Sequence, residues 1–221
     1  MILGLSGKAL SGKDSVADYL LDNYYFDRKL GFASNLKTAC VEVFGLTYDQ
    51  VLTQQGKSTD LKKPIKITKS ILSDLVSWMR KTHNVALESK DYSLLLGVEL
   101  HKPRDILQFV GTEVMRYYVN DYHYEVVFCS IRENENIIIT DVRFPNEALG
   151  VLKYKGNLIR IDRPKELRAV HGAILNSNHP SETALDNWDT WSYNLKNNGK
   201  TLDVLYSQVN EMLTTLELKN D

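Results

Sequence analysis

The first third of the chain alternates between short apolar runs and helical patterns. The run at residues 1–6 is apolar and is followed at once by glycines and lysines, which predicts a buried first strand. Between Asp14 and Tyr25 the apolar residues recur at helical spacing. Residues 28–32 predict a second short strand, and Ser34 is expected to cap the helix that follows it.

The middle of the chain is richer in polar residues and its pattern is mostly helical. We expect a helical insertion at about residues 47–100, with a lysine-dense loop at 57–69. Pro103 predicts the start of a further helix that runs to about residue 120, because proline at the first helical position loses no hydrogen bond. Another helix is predicted at 122–132.

The last third returns to strands and helices in alternation. Ile137–Thr140 is a run of mostly β-branched residues, which is typical of a central parallel strand. The elements predicted after it are a helix at about 146–154, a strand at 158–162, a strand at about 191–195 and a helix from about residue 201. The whole pattern predicts an α/β fold in which a five-stranded parallel sheet is covered by helices on both faces.

Composition and charge narrow the function classes. Lys plus Arg (27) nearly equals Asp plus Glu (28) and no polybasic tail occurs, which argues against non-specific binding of nucleic acid. Cys40 and Cys129 are interpreted as small core residues in a reducing cytoplasm, and not as a disulfide. No histidine pair has zinc-ligand spacing, and no apolar stretch is long enough for a signal peptide or a membrane span. We therefore expect a cytoplasmic protein without a structural metal, a nucleic-acid partner or a membrane partner.

A glycine-rich loop carries the strongest chemical signal. Residues 7–15 read GKALSGKDS and fit the pattern G-x-x-x-x-G-K between the predicted first strand and first helix. Such a loop points successive backbone N–H groups at phosphate oxygens, and the helix that follows adds its positive N-terminal end. Lys13 is expected to place its charge beside the transferred phosphate. The context predicts a phosphate-binding loop and not a chance match.

The residue after Lys13 departs from the usual motif. Asp14 stands where most such loops have a Ser or Thr that ligates Mg²⁺. A carboxylate can also hold Mg²⁺, directly or through water, and Ser15 supplies a hydroxyl one residue later. Alternatively, Asp14 caps the helix and complements its dipole. Both interpretations stay open.

An acid and an arginine follow the predicted strand at 137–140. Ligands of open α/β sheets bind outside the carboxyl ends of the strands, so Asp141 and Lys13 should face one crevice. Asp141 is expected to organise a metal ion and Arg143 to bind a phosphoryl group. A structural salt bridge is the alternative for this pair.

The helix that begins at Pro103 carries a polar stripe. Its members lie four residues apart and wind by roughly 40° per step; they are Arg104, Gln108, Thr112 and Arg116. The residues expected on the opposite, apolar face are Ile106, Val110, Val114 and Tyr117. Taken alone, the stripe favours the solvated face of an amphipathic surface helix.

Taken together, these segments resemble the deoxynucleoside monophosphate kinases of bacteriophages. The resemblance spans nearly the whole chain in the right order and is weakest at 47–100. The matching segments are Gly7–Ser15 with its Gly-Lys-Asp ending, Phe32–Lys37, the set Arg104, Gln108, Gly111 and Thr112, Asp141–Glu147, Arg163-Pro164, His179–Glu182, and Asn197 with Gly199. One departure is Tyr124, where members of that family often carry Trp.

The resemblance implies an ATP-dependent and Mg²⁺-dependent transfer of phosphate to a deoxynucleoside monophosphate within one domain, residues 1–221. The catalytic residues it implies are Lys13, Asp141 and Arg143. Those for ATP are Gly7, Lys8, Ala9, Ser11, Gly12, Lys13, Asp14, Ser15, Arg163 and Asn197. Those for the acceptor are Lys37, Arg104, Gln108, Thr112, Arg116 and Tyr124, and those for the metal are Asp14, Ser15 and Asp141.

The resemblance also implies a lid-like segment at about 163–186. Arg163, Lys165, Arg168, His171 and His179 lie in it, and its arginines are expected to neutralise charge in the transition state. His179 is expected to be a hydrogen-bonded structural residue. A phage origin and a homodimer are further implications. A P-loop kinase for another small phosphorylated metabolite, such as a coenzyme precursor, is an alternative, and a P-loop regulatory module is a more distant one.

Overall fold

The structure is a computed structural model, and it describes residues 1–24, 26–83, 91–119, 121–169, 179–199 and 201–218. His171, one of the predicted lid residues, lies outside these ranges. The strands in the described ranges are β1 Ile2–Ser6, β2 Arg28–Leu30, β3 Ile65–Lys66, β4 Glu99–Leu100, β5 Ile137–Ile139, β6 Asn157–Asp162 and β7 Tyr193–Lys196.

Helices separate most of these strands. In the described ranges the α-helices are α1 Lys13–Asn23, α2 Ser34–Phe44, α3 Tyr48–Leu52, α4 Gln54–Ser58, α5 Lys69–His83, α6 Pro103–Gln108, α7 Arg116–Tyr118, α8 Tyr122–Phe128, α9 Pro145–Lys153, α10 Lys165–Ala169, α11 Pro180–Thr183 and α12 Leu202–Thr215. The same ranges also contain a 3₁₀ turn at Ser93–Leu95 and a π-helical segment at Phe109–Met115.

The main sheet has five parallel strands in the order β2-β5-β1-β6-β7. β1 lies at its centre, with Leu3 opposite Ile138 of β5 and Gly4 opposite Leu158 of β6. The predicted five-stranded parallel sheet is therefore confirmed. Because all the strands run the same way, the ends of β1 and β5 open at the same edge, and the residues that follow them lie there.

Helices cover both faces of this sheet, which explains the continuous apolar runs of its central strands. On one face Leu3 and Leu5 pack in a buried cluster with residues of α1 and α12. On the other face Gly4 lies so close to α9 that an added Cβ would stand 2.9 Å from Val151. The predicted helical cover is thus present on both sides.

The chain divides into two compact units. Unit 1 comprises Met1–Phe32 and Val127–Asp221 and contains the five-stranded sheet. Unit 2 comprises Ala33–Val126 and has its own apolar core, in which Leu72, Leu75 and Met79 of α5 are fully buried. The segment predicted as a helical insertion also contains a short antiparallel pair, β3 and β4.

Several local predictions were wrong. Ser34 is the first residue of α2 and Ala33 occupies the cap position, where the Ala33 carbonyl accepts the Lys37 N–H at 3.0 Å. The helix predicted at 122–132 ends at Phe128. Both cysteines are free, but only Cys40 is buried, whereas Cys129 is exposed because α8 has ended before it.

The apolar face predicted for the helix that begins at Pro103 was correct only for the first three of its four residues. Ile106, Val110 and Val114 are fully buried, whereas Tyr117 is 42% exposed and Tyr118 is buried in its place. The π-helical segment explains the difference, because its wider turns shift every later residue around the helix axis.

None of the helices in the described residues is long and apolar enough to cross a membrane.

Candidate active site

The glycine-rich loop joins the end of β1 to the start of α1, as predicted. Gly12 is the N-cap of α1 and has φ of 103°, a left-handed conformation that favours glycine. Gly7 packs against the neighbouring strand, where an added Cβ would stand 2.4 Å from the carbonyl oxygen of Ile161. Both glycines are therefore required by the shape of the loop.

Lys13 folds back over the loop that precedes it. Its Nζ donates to the carbonyl oxygens of Gly7 at 2.8 Å and of Lys8 at 3.0 Å. Burial lowers the pKa of Lys13 to about 8, and the nearby Arg143 adds to this effect. The side chain is therefore held over the loop with little contact with solvent.

Asp141 follows β5 at the edge of the sheet where the loop begins. Its Oδ1 accepts the backbone N–H of Phe32 at 2.6 Å, and its charge acts on Lys13. The adjacent Val142 donates its N–H to the Leu5 carbonyl at 3.0 Å. The predicted proximity of Asp141 and Lys13 is thus present in the structure.

Arg143 is fixed through both its backbone and its side chain. Its backbone N–H donates to the buried Glu147 carboxylate at 2.8 Å, which holds the start of α9. Its Nη1 donates to Glu182 Oε1 at 2.5 Å and to the Ser181 carbonyl at 3.0 Å. The guanidinium is therefore pinned to α11 beside the loop.

The family resemblance included Glu182 only as the last residue of the segment His179–Glu182, and the sequence did not predict its role. Besides Arg143, its carboxylate accepts the backbone N–H of Ala9, which belongs to the loop. Although burial opposes ionisation, Arg143 and Lys13 hold the pKa of Glu182 below its usual value. Conversely, burial opposes the charge of Arg143, but Glu182 and Asp141 raise its pKa. Only the fold brings Glu182 to the loop, so no local spacing could have identified it.

A second set of contacts joins the loop to the residues around α11. Lys8 Nζ donates to the Glu182 carbonyl and to the Asp186 carboxylate. Arg160 of β6 donates to Asp162 at 3.0 Å and lies 5.5 Å from the centre of the Trp191 ring. Lys8, Arg143, Arg160 and Glu182 line one cleft, so it is rich in charge.

Asn197 supports the loop from the end of β7. Its side chain is buried, and its Nδ2 donates to the Ser11 carbonyl at 2.9 Å. Arg163, also predicted to bind ATP, lies in the turn after β6, and its carbonyl accepts the Nε–H of Arg168 at 3.1 Å. His179 caps α11, with Nδ1 accepting the Ser181 N–H at 3.2 Å, as expected for a structural residue.

The predicted metal ligands differ in their surroundings. Asp14 lies exposed in the first turn of α1, where its charge complements the helix dipole, and Ser15 is half-buried. Gly12 is the cap residue, so the capping role considered for Asp14 was wrong. Within the described ranges, no group of three or more His, Cys, Asp or Glu side chains could hold a metal ion by itself. Mg²⁺ commonly binds through one or two carboxylates together with water and substrate phosphates.

The predicted acceptor residues all lie in unit 2. Arg104 of α6 donates from Nη2 to the Gln54 side chain of α4 at 2.8 Å. All four members of the stripe that begins at Arg104 are partly exposed, as are Lys37 and Tyr124. The stripe therefore keeps a polar edge towards solvent, although the π-helical segment interrupts its regular winding.

His123 is a residue of unit 2 that the sequence did not single out. It is 5% exposed, and its Nε2 lies 3.3 Å from the carbonyl oxygen of Gly111 in the π-helical segment. A histidine next to an aromatic run gives no sequence signal of its own, because the contact depends on how α8 packs.

The parallel sheet, the glycine-rich loop after its central strand and the converging basic side chains define a P-loop kinase. The chain is 30% identical over 224 residues to a putative deoxynucleotide monophosphate kinase of Acanthamoeba polyphaga mimivirus, with 95% of this chain and 94% of the relative covered. It is 28% identical over 221 residues to the deoxynucleoside-5'-monophosphate kinase of Escherichia phage T5, covering 84% and 85%. The chain belongs to the deoxynucleoside monophosphate kinase family, as its motifs predicted.

The other comparisons do not identify a substrate. No protein-family model matches the chain. Among solved structures, a Thermus thermophilus protein is 14% identical with a TM-score of 0.46, covering 100% of this chain and 98% of that one. Shikimate kinase from Acinetobacter baumannii is 10% identical with a TM-score of 0.41, covering 99% and 95%. These similarities are too weak to assign a substrate.

Proposed function

We propose that the chain transfers the γ-phosphate of ATP to a deoxynucleoside monophosphate, giving ADP and the deoxynucleoside diphosphate. The observation that carries this proposal is the convergence of Arg143, Lys13 and the Ala9 N–H on one anionic group, the carboxylate of Glu182, beside the loop. Both curated relatives are named for the same class of acceptor. The contacts of the loop support the transfer of phosphate, and the names of the relatives support a deoxynucleoside monophosphate as its acceptor.

The loop fits the phosphates of ATP. Ser11 Oγ is buried and, among the described residues, has no hydrogen-bonding partner, which is costly unless a ligand uses it. Gly7 and Gly12 leave room where a Cβ would collide with neighbouring atoms. We assign the rest of the loop, from Lys8 to Ser15, to the same phosphates, with Arg163 and Asn197 beside it.

The acids beside the loop fit Mg²⁺. Asp141 and Asp14 both act on the charge of Lys13, which supports a position beside the same phosphates, and Ser15 offers a hydroxyl. Bound Mg²⁺ supplies positive charge between the phosphate oxygens. Asp141 holds the metal or its water shell, and Asp14 and Ser15 contribute from the loop side.

Lys13 and Arg143 stabilise the negative charge that develops on the transferred phosphoryl group. Phosphoryl transfer spreads negative charge over the transferred group, so catalysis depends on positioning and on fixed positive charges. Arg143 is held by the bond from its own backbone to Glu147, and Lys13 is buried and restrained by two carbonyl groups.

We assign the acceptor to the polar residues of unit 2. Arg104 and Lys37 bind its phosphate and Gln108 reads the edge of its base. Thr112 and Arg116 extend the same stripe, and Tyr124 stacks on the base. The partial exposure of all these side chains supports the assignment, because they are accessible to a ligand.

Further proposals follow from the viral relatives and from the family. The whole chain acts as one kinase, in which residues 47–100 are an insertion and the described parts of 163–186 contribute to a lid. The viral source of both relatives supports action in the cytoplasm of an infected host. A homodimer stays a prediction.

The proposed function is tested by a coupled assay of ADP release with Mg·ATP and a panel of nucleoside and deoxynucleoside monophosphates. We expect at least one deoxynucleoside monophosphate to stimulate turnover strongly, and a metal chelator to abolish it. ATP turnover that no monophosphate stimulates would contradict the proposal and favour a different acceptor.

A further inference from the structure

An acidic side chain contacts the loop that we propose binds phosphate. The Glu182 side chain is 13% exposed, and its Oε1 lies 2.5 Å from Arg143 Nη1. The same carboxylate accepts the N–H of Ala9 and lies close enough to Lys13 for their charges to interact. A loop N–H, a lysine and an arginine are the usual ligands of a nucleotide phosphate, yet here they surround a carboxylate.

Glu182 is also held from the other side by the loop itself. Lys8 donates to the Glu182 carbonyl and to the Asp186 carboxylate, and Arg143 donates to the Ser181 carbonyl. The segment around α11 is therefore tied to the loop through its backbone as well as through the Glu182 side chain. Glu182 therefore belongs to the site, and its contact with the loop is not that of an isolated surface acid.

We propose that Glu182 is a residue of the phosphate site whose carboxylate occupies the anion position of the loop until a nucleotide phosphate displaces it. This inference rests on the proposed function of the loop. The Ala9 N–H has a single hydrogen, and the two hydrogens of Arg143 Nη1 are already donated to Glu182 and to the Ser181 carbonyl. A phosphate that accepts from these donors therefore breaks the Glu182 contacts. Competition from the Glu182 carboxylate thereby lowers the affinity of the enzyme for its phosphate donor.

The charges around the site explain why such an acid is present. Lys13 and Arg143 lie near each other and repel; Lys13 is buried, whereas the Arg143 side chain is 30% exposed. Two neighbouring cations, one of them buried, are unfavourable without an anion, and the Glu182 carboxylate offsets their charge in the ligand-free chain. When a phosphate binds, its negative charge takes over this role and the carboxylate is released.

The experiment measures the Kd of ATP by calorimetry for the full chain and two variants. Glu182→Gln keeps the size of the side chain and removes its charge. Glu133→Gln removes one charge from an exposed acid of the same unit that lies outside the proposed site, and it controls for net charge. We expect Glu182→Gln to bind ATP about tenfold more tightly, because a charge-assisted contact no longer competes, and Glu133→Gln to match the wild type.

The alternative outcomes are distinct. If the wild type binds ATP and Glu182→Gln binds it equally well or more weakly, Glu182 is not displaced by the nucleotide. The proposed function is unaffected by that outcome. A lower kcat at unchanged Kd also overturns the displacement, because Glu182 then only orients Arg143. Wild type that does not bind ATP overturns the proposed function, and this inference with it.

A second variant keeps the inference testable if Glu182→Gln does not fold. Asp186→Asn removes the carboxylate that Lys8 contacts, and the Asp186 side chain is 43% exposed, so the fold should tolerate it. Loosening this contact should lower the Kd of ATP about twofold, the scale of a partly exposed ion pair. An unchanged Kd in this variant would overturn the role of the contacts around α11.

Discussion

The side-chain amide of Asn197 donates to the Ser11 carbonyl at 2.9 Å and so joins the end of β7 to the phosphate loop. Both groups lie in a buried region, where the contact replaces any bond to water. The shape of the loop therefore depends on a residue 186 positions away in the chain.

Asn197→Ala should destabilise the protein by about 1–3 kcal/mol, because it leaves a buried carbonyl without its partner. Asn198→Ala is the matched control, since Asn198 is the neighbouring asparagine and is exposed. Denaturant unfolding gives both values, and ATP titration should show weaker binding only for Asn197→Ala. Equal stability of the two variants would mean that the Asn197 amide does not support the loop.

Asp141→Asn tests the proposed metal role while keeping the contact with Phe32. The asparagine oxygen can still accept the Phe32 N–H that Asp141 accepts at 2.6 Å, whereas the negative charge is lost. The Mg²⁺ concentration for half-maximal rate should rise at least about tenfold, and Asp14→Asn should raise it less. Metal titrations at saturating ATP measure this, and an unchanged requirement in both variants would return the two acids to structural roles.

Lys13→Ala and Arg143→Ala should each lower kcat at least about a hundredfold, because each removes a fixed charge from the developing phosphoryl transition state. Arg28→Ala serves as the control, since Arg28 is an arginine of the same unit that pairs with Glu135 at 2.9 Å. Melting curves show whether each variant is folded. A folded Lys13→Ala variant with near-normal kcat would mean that the loop is not the catalytic phosphate site.

The lowered pKa of Lys13 predicts an unusual alkaline limit for the reaction. Burial and Arg143 bring its pKa to about 8, against the opposing effects of Asp14, Glu182 and Asp141. Since the protonated amine is the useful form, kcat/KM for ATP should fall as pH rises through about 8. The fall follows from loss of the proton, so activity is retained on the acid side of this limit.

Comparison of two pH profiles checks the origin of that limit. Bound phosphate restores negative charge beside Lys13 and should raise its pKa, so kcat at saturating ATP should decline at higher pH than kcat/KM. Two profiles that decline together would assign the limit to another group.

Arg104→Ala should raise KM for the deoxynucleotide at least about tenfold, the scale of a lost charge-assisted hydrogen bond. KM for ATP should change far less. Lys62→Ala, at an exposed lysine of the same unit, is the control. Gln108→Ala should change the ranking among bases more than the overall rate, because an amide reads base edges. If Arg104→Ala weakens ATP and not the deoxynucleotide, the acceptor site is placed wrongly.

The sheet was predictable because its central strands are buried on both faces. The run Ile137–Ile139 contains no polar residue, and it forms a strand that lies between two other strands. The phosphate loop was predictable for a related reason, since its chemistry requires glycines and a lysine at fixed spacing. In contrast, β3 and β4 have two residues each, too few to show a periodic pattern.

The features that escaped prediction depend on contacts between distant residues or on a change of helical geometry. Glu182 meets Arg143 across 39 positions of the chain, so only the fold brings them together. The burial of Tyr118 in place of Tyr117 follows from the π-helical segment before them, and an even 3.6-residue repeat cannot anticipate it.

The order of the strands in the sheet has a consequence for synthesis of the chain. β1 and β2 are made first but do not pair with each other, because β5 lies between them and follows unit 2 in the sequence. Ala33–Val126 is continuous and can complete its own core on the ribosome, whereas the sheet has to wait until residues beyond Val127 emerge. Such non-local pairing slows folding, so the first two strands spend the longest time exposed to chaperones and to aggregation.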